Sequence, residues 1–217
     1  MVKPHEFPLF NGVEMPDVIQ LLRRFDAHEE VFAKDELLFR EGDVMREVGL
    51  VLSGSLHVLQ HDFWGNASIV SELGEGDLFG ASSACDPVPA LSMHGLALTP
   101  TRALYLSTEK ILDPSADVPA SQVWVMANFA RVLAGKNAVL NQKITHTAKR
   151  TTRGKVLSYL SEQASLSGSA FFTIPFNRQQ LADYLEVDRA ALSKVLSRMR
   201  EEGVLDFDRS TFKLLRP

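Results

Sequence analysis

The chain has 217 residues, of which 45% are hydrophobic and 23% charged, an ordinary composition for a globular protein with room for two domains. No apolar run approaches the roughly 18 residues that indicate a membrane span. The N-terminal residues also lack the apolar core and cleavage site of a signal peptide. We therefore expect a cytoplasmic protein with no membrane partner.

Charge is distributed unevenly along the chain. The net charge is −4, but residues 149–217 hold 12 Lys and Arg against 8 Asp and Glu, a balance of +4. The preceding part of the chain therefore carries −8. Positive charge concentrated in one part of a protein is typical of a surface that meets phosphate. We expect the C-terminal part to be the one that binds nucleic acid.

Cys85 is the single cysteine of the chain. A single cysteine excludes an internal disulfide and a four-cysteine iron–sulfur cluster within one chain. Free cysteines are often buried as small apolar side chains, and we expect this for Cys85. The alternative is a reactive thiol that senses a redox signal.

The N-terminal half has the texture of a β-protein after one short helix. Residues 13–25 have the apolar spacing of that helix. Across residues 30–106, short runs of Val, Leu and Phe alternate with Gly-Asp and Gly-Ser turns, which predicts a β-sandwich or barrel. The clearest strand candidates are residues 48–59 and 97–106.

A long segment without proline, residues 120–146, has apolar residues in two interleaved series with a period of seven. This heptad pattern is typical of a helix that pairs with a second helix. The predicted dimer interface consists of Val123, Met126, Ala130, Leu133, Asn137, Leu140 and Ile144. The other positions are largely polar, Gln122 and Asn128 among them, which favours a dimer over the alternative of one helix packed on its own domain.

The remaining segments predict a small mixed domain. A helix is expected at residues 153–164, a loop at 165–169 and a short strand at 171–175. Two apolar runs around a polar turn at residues 208–210 predict a β-hairpin near the C-terminus.

Between the short strand and the hairpin lies a pattern of two short helices joined by a tight turn. Asn177 and Gln180 predict a capping box at the first helix. Asp188 predicts the cap of the second helix, and Gly203 predicts its end. The pattern is typical of a winged helix-turn-helix, whose second helix enters the major groove of DNA.

That geometry assigns candidate DNA contacts. An Arg at the start of the second helix can donate two hydrogen bonds to a guanine, and side chains at the start of the first helix reach phosphate and fix the register. The expected base contacts are Arg189, Ala190, Ser193 and Lys194. The expected phosphate contacts are Arg178, Gln179, Ser197 and Arg198.

Several short motifs accompany this order of parts: Gly42-Asp43, Leu52-Ser53-Gly54-Ser55-Leu56, Gly76-Asp77-Leu78-Phe79-Gly80, and the stretch from Asn177 to Leu185 with Asp188-Arg189. In these features the chain resembles the CRP/FNR family of bacterial transcription regulators over nearly its whole length. The resemblance implies an α+β fold with a jelly-roll-like β-roll sensor domain at residues 1–118, a dimerisation helix at 119–146 and a winged helix-turn-helix domain at 147–217. It also implies a homodimer that reads an inverted repeat in double-stranded DNA and works with RNA polymerase.

The resemblance departs where family members bind cyclic AMP. Members that bind it have a Glu directly after the Phe-Gly pair and an Arg about ten residues later, and this chain has Ala81 and Leu91 there. A buried phosphate without a charged partner is costly. The expected effector is therefore an unknown small molecule, or a redox or gas signal, other than cyclic AMP, with a pocket at Phe79, Ala81, Ser82 and Leu91.

The helix-turn-helix departs from the family pattern as well. Ala190 stands where the best-known members have Glu, and Lys194 stands where they have a later Arg. The half-site is therefore expected to differ from theirs. Glu186 occupies a turn position at which members often have Gly, which predicts local strain.

Other functions are weaker interpretations of the sequence. Haem occurs in some family members, and His94, Met93 or Cys85 are candidate axial ligands, although no spacing supports them. His57 and His61 can share a face of a strand, but a metal site needs further ligands, and we expect none. A cupin-like metal enzyme and a scaffold module with a vestigial helix-turn-helix are the alternatives to a DNA-binding regulator, and we expect no enzyme.

Overall fold

The computed structural model describes residues 6–61, 67–85, 90–115 and 117–215, with the backbone alone at residues 61, 67 and 68. The chain divides into two compact units, Met1–Leu133 and Ala134–Pro217. The boundary falls within one long helix, Ala120–Thr147. Each unit buries its own apolar core.

The first unit is built mainly from β-strands. Its strands are β1 (His28–Phe32), β2 (Leu37–Phe39), β3 (Glu47–Ser53), β4 (Leu56–His61), β5 (Ala67–Leu73), β6 (Leu78–Phe79), β7 (His94–Ala97) and β8 (Thr101–Ser107). Its helices are a 3-10 turn (Pro8–Phe10), α1 (Met15–Arg24), α2 (Ala81–Ala84), α3 (Thr108–Ile111) and the beginning of α4 (Ala120–Thr147). The strands form two antiparallel sheets, in the orders β1-β8-β3-β6 and β2-β7-β4-β5.

Strand β8 of the first sheet is buried on both faces. Side chains alternate along a strand, and Ala103 and Tyr105 enter a core shared with the second sheet. Leu104 and Leu106 enter a different core, which includes residues of α1 and α4. The predicted β-sandwich or barrel is confirmed, and the predicted α+β class with it.

Turns divide the two long strand candidates. Residues 48–59 form parts of β3 and β4, which are separated at Gly54, where φ is +87°. A side chain at this position would also meet the backbone oxygen of Pro100, 2.5 Å from an ideal Cβ. Residues 97–106 likewise contain the end of β7 and most of β8.

Helix α4 packs one face on the first unit. Val125 and Phe129 are buried in its core. Gln122 and Asn128 are buried too, so these two polar positions do not favour a dimer over a helix packed on its own domain. They are satisfied by backbone carbonyls distant in sequence: the Gln122 amide donates to Lys110 O at 2.9 Å, and the Asn128 amide donates to Asn11 O at 2.7 Å.

The second unit surrounds a compact apolar core. After the end of α4, its elements are α5 (Thr152–Ser167), β9 (Phe171–Thr173), α6 (Arg178–Tyr184), α7 (Arg189–Glu201), β10 (Leu205–Asp208) and β11 (Thr211–Leu214). The three strands form an antiparallel sheet in the order β10-β11-β9. Helix α5 extends to Ser167, so the loop predicted at residues 165–169 is wrong in its first three residues. Gly168 caps the helix with a φ of +63°.

Glu186 lies in the turn between α6 and α7 with a left-handed φ of 53°. Its carbonyl accepts a hydrogen bond from Lys155 Nζ at 3.3 Å, and its carboxylate lies 3.4 Å from Lys143 Nζ. A non-glycine residue in this conformation costs roughly 1–2 kcal/mol. The strain expected at this position is therefore confirmed as a backbone feature.

Two substitutions separate the strain at Glu186 from its charge. Glu186→Gly and Glu186→Ala remove the same carboxylate, but only glycine relieves the left-handed backbone. We expect the free energy of unfolding, measured by urea denaturation with circular dichroism, to be about 1 kcal/mol higher for Glu186→Gly than for Glu186→Ala. Equal stability of the two variants would contradict a strained turn.

Candidate nucleic-acid interface and effector site

Both helices of the helix-turn-helix begin at the predicted caps. Asn177 Oδ1 accepts from the backbone N–H of Gln180 at 2.9 Å, and Gln180 Oε1 accepts from the N–H of Asn177 at 2.9 Å. Asp188 Oδ1 accepts from the N–H of Ala191 at 2.8 Å. The capping box and the second cap are confirmed, and together they define where α6 and α7 start.

Packing determines which face of α7 meets solvent. Leu192, Leu196 and Met199 are fully buried in the core of the second unit. They contact a core that also contains Leu181 and Leu185 from the region of α6. The opposite face of α7 therefore lies outside this core and faces solvent.

The four predicted base contacts lie together on that outer face. Arg189, Ala190 and Lys194 are exposed, and Ser193 is half-buried with its hydroxyl donating to Arg189 O at 3.0 Å. Within the described residues, the Arg189 and Lys194 side chains have no hydrogen-bond or ion-pair partner. Their cationic groups are thus available to a ligand in solution.

The four predicted phosphate contacts are held differently from one another. Ser197 is exposed. The Gln179 amide donates to Asp183 Oδ1 at 2.8 Å. Arg198 Nε lies 3.0 Å from Glu202 Oε1, and the Arg198 side chain is 78% exposed.

Arg178 is engaged with the wing, the hairpin formed by β10 and β11. Its guanidinium carbon lies 4.9 Å from the centre of the Phe207 ring and 5.7 Å from that of Phe212, and Nη2 donates to Arg209 O at 3.3 Å. Burial, and then the nearby charge of Arg200, lower the pKa of Arg178. This cation–π contact ties the first helix to the wing, and nothing in the local sequence indicates it.

The second unit has further basic residues outside the predicted set. Arg209 and Lys213 are exposed on the wing, and Lys149 and Arg150 are exposed before α5. Lys155 differs, because its ammonium donates to Leu185 O at 3.1 Å and so closes the C-terminal end of α6. From the sequence these residues contribute only to the positive net charge of residues 149–217.

The residues of the predicted dimer interface fall into two groups. Met126 and Leu133 are half-buried and pack against the core of the first unit. The others are exposed in the single chain: Val123, Ala130, Asn137, Leu140 and Ile144. Leu140 and Ile144 are 58% and 61% exposed.

The structure does not bring the predicted effector residues to one cavity within the described part of the chain. Phe79 and Leu91 are buried in the core shared by the two sheets. Ala81 is buried in the other core of the first unit, and Ser82 is exposed. The positions that carry Glu and Arg in cyclic-AMP-binding members are thus buried and apolar here.

The candidate sensing and haem ligands are arranged as follows. Cys85 is exposed, so the expected burial is wrong; partial desolvation raises the pKa of its thiol, which disfavours the reactive thiolate. His94 Nε2 lies 3.6 Å from Glu41 Oε2, and Met93 is half-buried. The side chain of His61 lies outside the described residues.

Two further observations limit the kinds of site. The described residues contain no group of three or more His, Cys, Asp or Glu side chains placed to hold a metal ion. No helix in the described part of the chain is both long and apolar enough to cross a membrane.

Comparisons with known proteins match both units. A family profile described as "Cyclic nucleotide-binding domain" matches residues 29–114, and one described as "Crp-like helix-turn-helix domain" matches residues 154–217. The "Cyclic AMP receptor protein" of Thermus thermophilus is 26% identical over 91% of this chain and 88% of its own length. "Transcriptional activator protein FnrA" of Stutzerimonas stutzeri is 23% identical over 84% of this chain and 74% of its own.

Solved structures share the fold. "OCPA complexed CprK" superposes with a TM-score of 0.66 at 16% identity, covering 90% of this chain and 91% of that chain. A mutant of CooA from Carboxydothermus hydrogenoformans gives a TM-score of 0.57 at 19% identity, covering 91% and 86%. At these identities the likeness concerns the arrangement of elements.

Proposed function

The chain belongs to the CRP/FNR family of transcription regulators, and we propose that it acts as a homodimer that reads an inverted repeat in double-stranded DNA under the control of an effector other than cyclic AMP. The outer face of α7 carries this proposal, because it presents Arg189 and Lys194 to solvent beside Ala190. We expect DNA to be the partner of such a face and the protein to be cytoplasmic. The likeness to transcriptional activators favours RNA polymerase as a further partner.

The chemistry of DNA reading follows from the position of α7. A recognition helix enters the major groove with its N-terminal residues nearest the base edges. Arg189 opens the helix and can form a bidentate pair with guanine O6 and N7. The methyl group of Ala190 can offer only an apolar contact, such as one to a thymine methyl, while Lys194 lies one turn further along.

Replacing Arg189 tests the placement of the recognition helix. Arg189→Ala should cost about 1–3 kcal/mol per half-site on the preferred sequence and little on random DNA. Arg198→Ala is the matched control, since it should weaken both kinds of DNA about equally and reduce the salt dependence by about one phosphate contact. Fluorescence anisotropy titrations measure both. An unchanged ratio of specific to random affinity in Arg189→Ala would refute this placement.

Exposed apolar residues on α4 favour the homodimer. Leu140 and Ile144 each belong to one of the two heptad series, and both are more than half exposed in the single chain. Pairing with a second copy would remove this apolar area from water, at about 25 cal/mol per Å². Asn137, whose Oδ1 accepts from the Asn141 amide at 3.0 Å, is placed to fix the register of the pair.

Two neighbouring positions on α4 test this interface. Leu140→Asp puts a charge into the predicted seam, where a buried unpaired charge is strongly disfavoured. Val139→Asp introduces the same charge at an adjacent residue that is 59% exposed and outside the heptad positions. We expect sedimentation to show dissociation for Leu140→Asp alone. A dimer that survives Leu140→Asp would contradict the proposed seam.

The effector is proposed to differ from cyclic AMP, although a relative is named for that nucleotide. Ala81 and Leu91 are 8% and 7% exposed and offer no charge or side-chain hydrogen bond to a phosphate. A charge-assisted pair is the usual means of binding one. The effector would instead shift an equilibrium between two states of the protein with different DNA affinities.

Isothermal calorimetry tests whether the chain, with Ala81 and Leu91 in place of Glu and Arg, fails to bind cyclic AMP. We expect no heat of binding at micromolar nucleotide, because an unpaired phosphate would be desolvated at an apolar surface. A micromolar dissociation constant would show that other groups bind the phosphate and would overturn this part of the proposal.

A further inference from the structure

A cavity of about 230 Å³ lies beside strands β1 and β8, away from Ala81 and Ser82. Its apolar lining includes Phe39 and Leu91 from the core shared by the two sheets, together with the ring of Tyr105. The volume suits a molecule smaller than a nucleotide, since pockets for drug-sized ligands are typically about 300–1,000 Å³. Nothing in the proposed function yet uses this cavity.

One side of the cavity is formed by His28, Glu30 and Glu47. The His28 ring stacks on Tyr105 with centroids 5.2 Å apart and an interplanar angle of 12°. Its Nε2 lies 3.8 Å from Glu30 Oε1, and its Nδ1 lies 3.5 Å from Glu47 Oε1. The two carboxylates therefore flank the His28 ring, one near each ring nitrogen.

The Tyr105 hydroxyl adds a third oxygen. Tyr105 is 7% exposed, and its hydroxyl has no hydrogen-bond partner among the described residues. Burial, and then the charges of Glu30 and Glu47, raise the pKa of Tyr105, so the hydroxyl stays neutral. An unpaired buried hydroxyl is unfavourable, and a ligand that bonds it removes that cost.

The charges that line the cavity select the sign of the ligand. Glu30, Asp43 and Glu47 face it, against Arg46 and the imidazole of His28. Asp43 accepts from the backbone N–H of Arg40 at 2.8 Å. Glu30 and Glu47 each place one oxygen, Oε1, near His28, so Oε2 of each is the atom offered to a ligand. An anion would be repelled by these carboxylates, whereas a cation would be attracted by them.

We infer that this cavity binds a small organic molecule with a primary ammonium group and an apolar body. An ammonium group has three N–H donors, and Glu30, Glu47 and the Tyr105 hydroxyl supply three acceptor oxygens. The apolar body lies against Phe39 and Leu91. The role of this ligand as the effector rests on the proposed function. Binding of the amine to the cavity does not.

Calorimetry on the full chain tests the site with small primary amines: phenethylamine, tyramine and isoamylamine. Phenylacetate is the control ligand, since it has nearly the shape of phenethylamine and the opposite charge. We expect at least one amine to bind and phenylacetate not to bind. Failure of all three amines, or equal binding of phenylacetate, would overturn the inference.

Variants locate the binding. Glu47→Gln and Glu30→Gln should each weaken amine binding at least tenfold, and Tyr105→Phe should weaken it several-fold. Glu29→Gln is the matched control: the residue lies on the same strand, pairs with Arg102 at 2.6 Å and does not line the cavity. It should leave amine binding unchanged. Amine binding that survives both Glu30→Gln and Glu47→Gln in folded protein would place the ligand elsewhere and refute the site.

A DNA arm separates this inference from the proposed function. Mobility shifts with the bound amine present and absent should differ for wild-type protein and agree for Glu47→Gln. A bound amine that leaves DNA affinity unchanged would refute the effector role. Protein that binds amine but no DNA under any condition would refute the proposed function instead.

Discussion

The burial of Leu192, Leu196 and Met199 is the constraint on which the DNA-binding unit depends. Because these side chains are fully enclosed, α7 can present only one face to solvent. That face begins with Arg189 and continues through Lys194. Truncating a buried Leu to Ala typically costs about 2–5 kcal/mol, so the orientation of the helix is held far more firmly than any single surface contact could hold it.

Polar contacts around this core determine where each element starts and ends. Asn177 and Asp188 cap the two helices, while the Lys155 ammonium donates to the carbonyls of Leu185 and Glu186, directly after α6. Arg178 links α6 to the wing through Phe207. His146 links the end of α4 to α5. Its two ring nitrogens lie 2.9 Å from the Ser158 hydroxyl and 2.7 Å from Glu162 Oε2.

Features that depend on neighbouring residues could be predicted from the sequence. The capping box at Asn177, the cap at Asp188 and the hairpin after Gly203 all follow local rules of backbone hydrogen bonding, and the structure has each of them. Resemblance to the family added the order of the parts. The positive φ of Glu186 was also foreseen, since family members often have Gly there.

Features that depend on distant residues could not be predicted. The burial of Gln122 and Asn128 is one example, because the backbone carbonyls that accept from their amides come from elsewhere in the chain. Likewise, Arg178 meets the wing rings only after the hairpin has folded. The cavity at Tyr105 requires β1 to pair with β8. This pairing puts Tyr105 opposite His28, which is distant from it in the sequence.

The first unit has buried apolar residues at Ala81 and Leu91, and the second presents Arg189 and Lys194 on an exposed helix face. In the proposed dimer, two such helices read DNA together. Selection from a random DNA pool by the full-length protein, followed by sequencing, tests this most directly. We expect an enriched inverted repeat whose half-site centres lie about 34 Å apart, one helical turn. A single unrepeated motif would contradict the symmetric dimer, and a pool with no enrichment would contradict sequence-specific DNA binding.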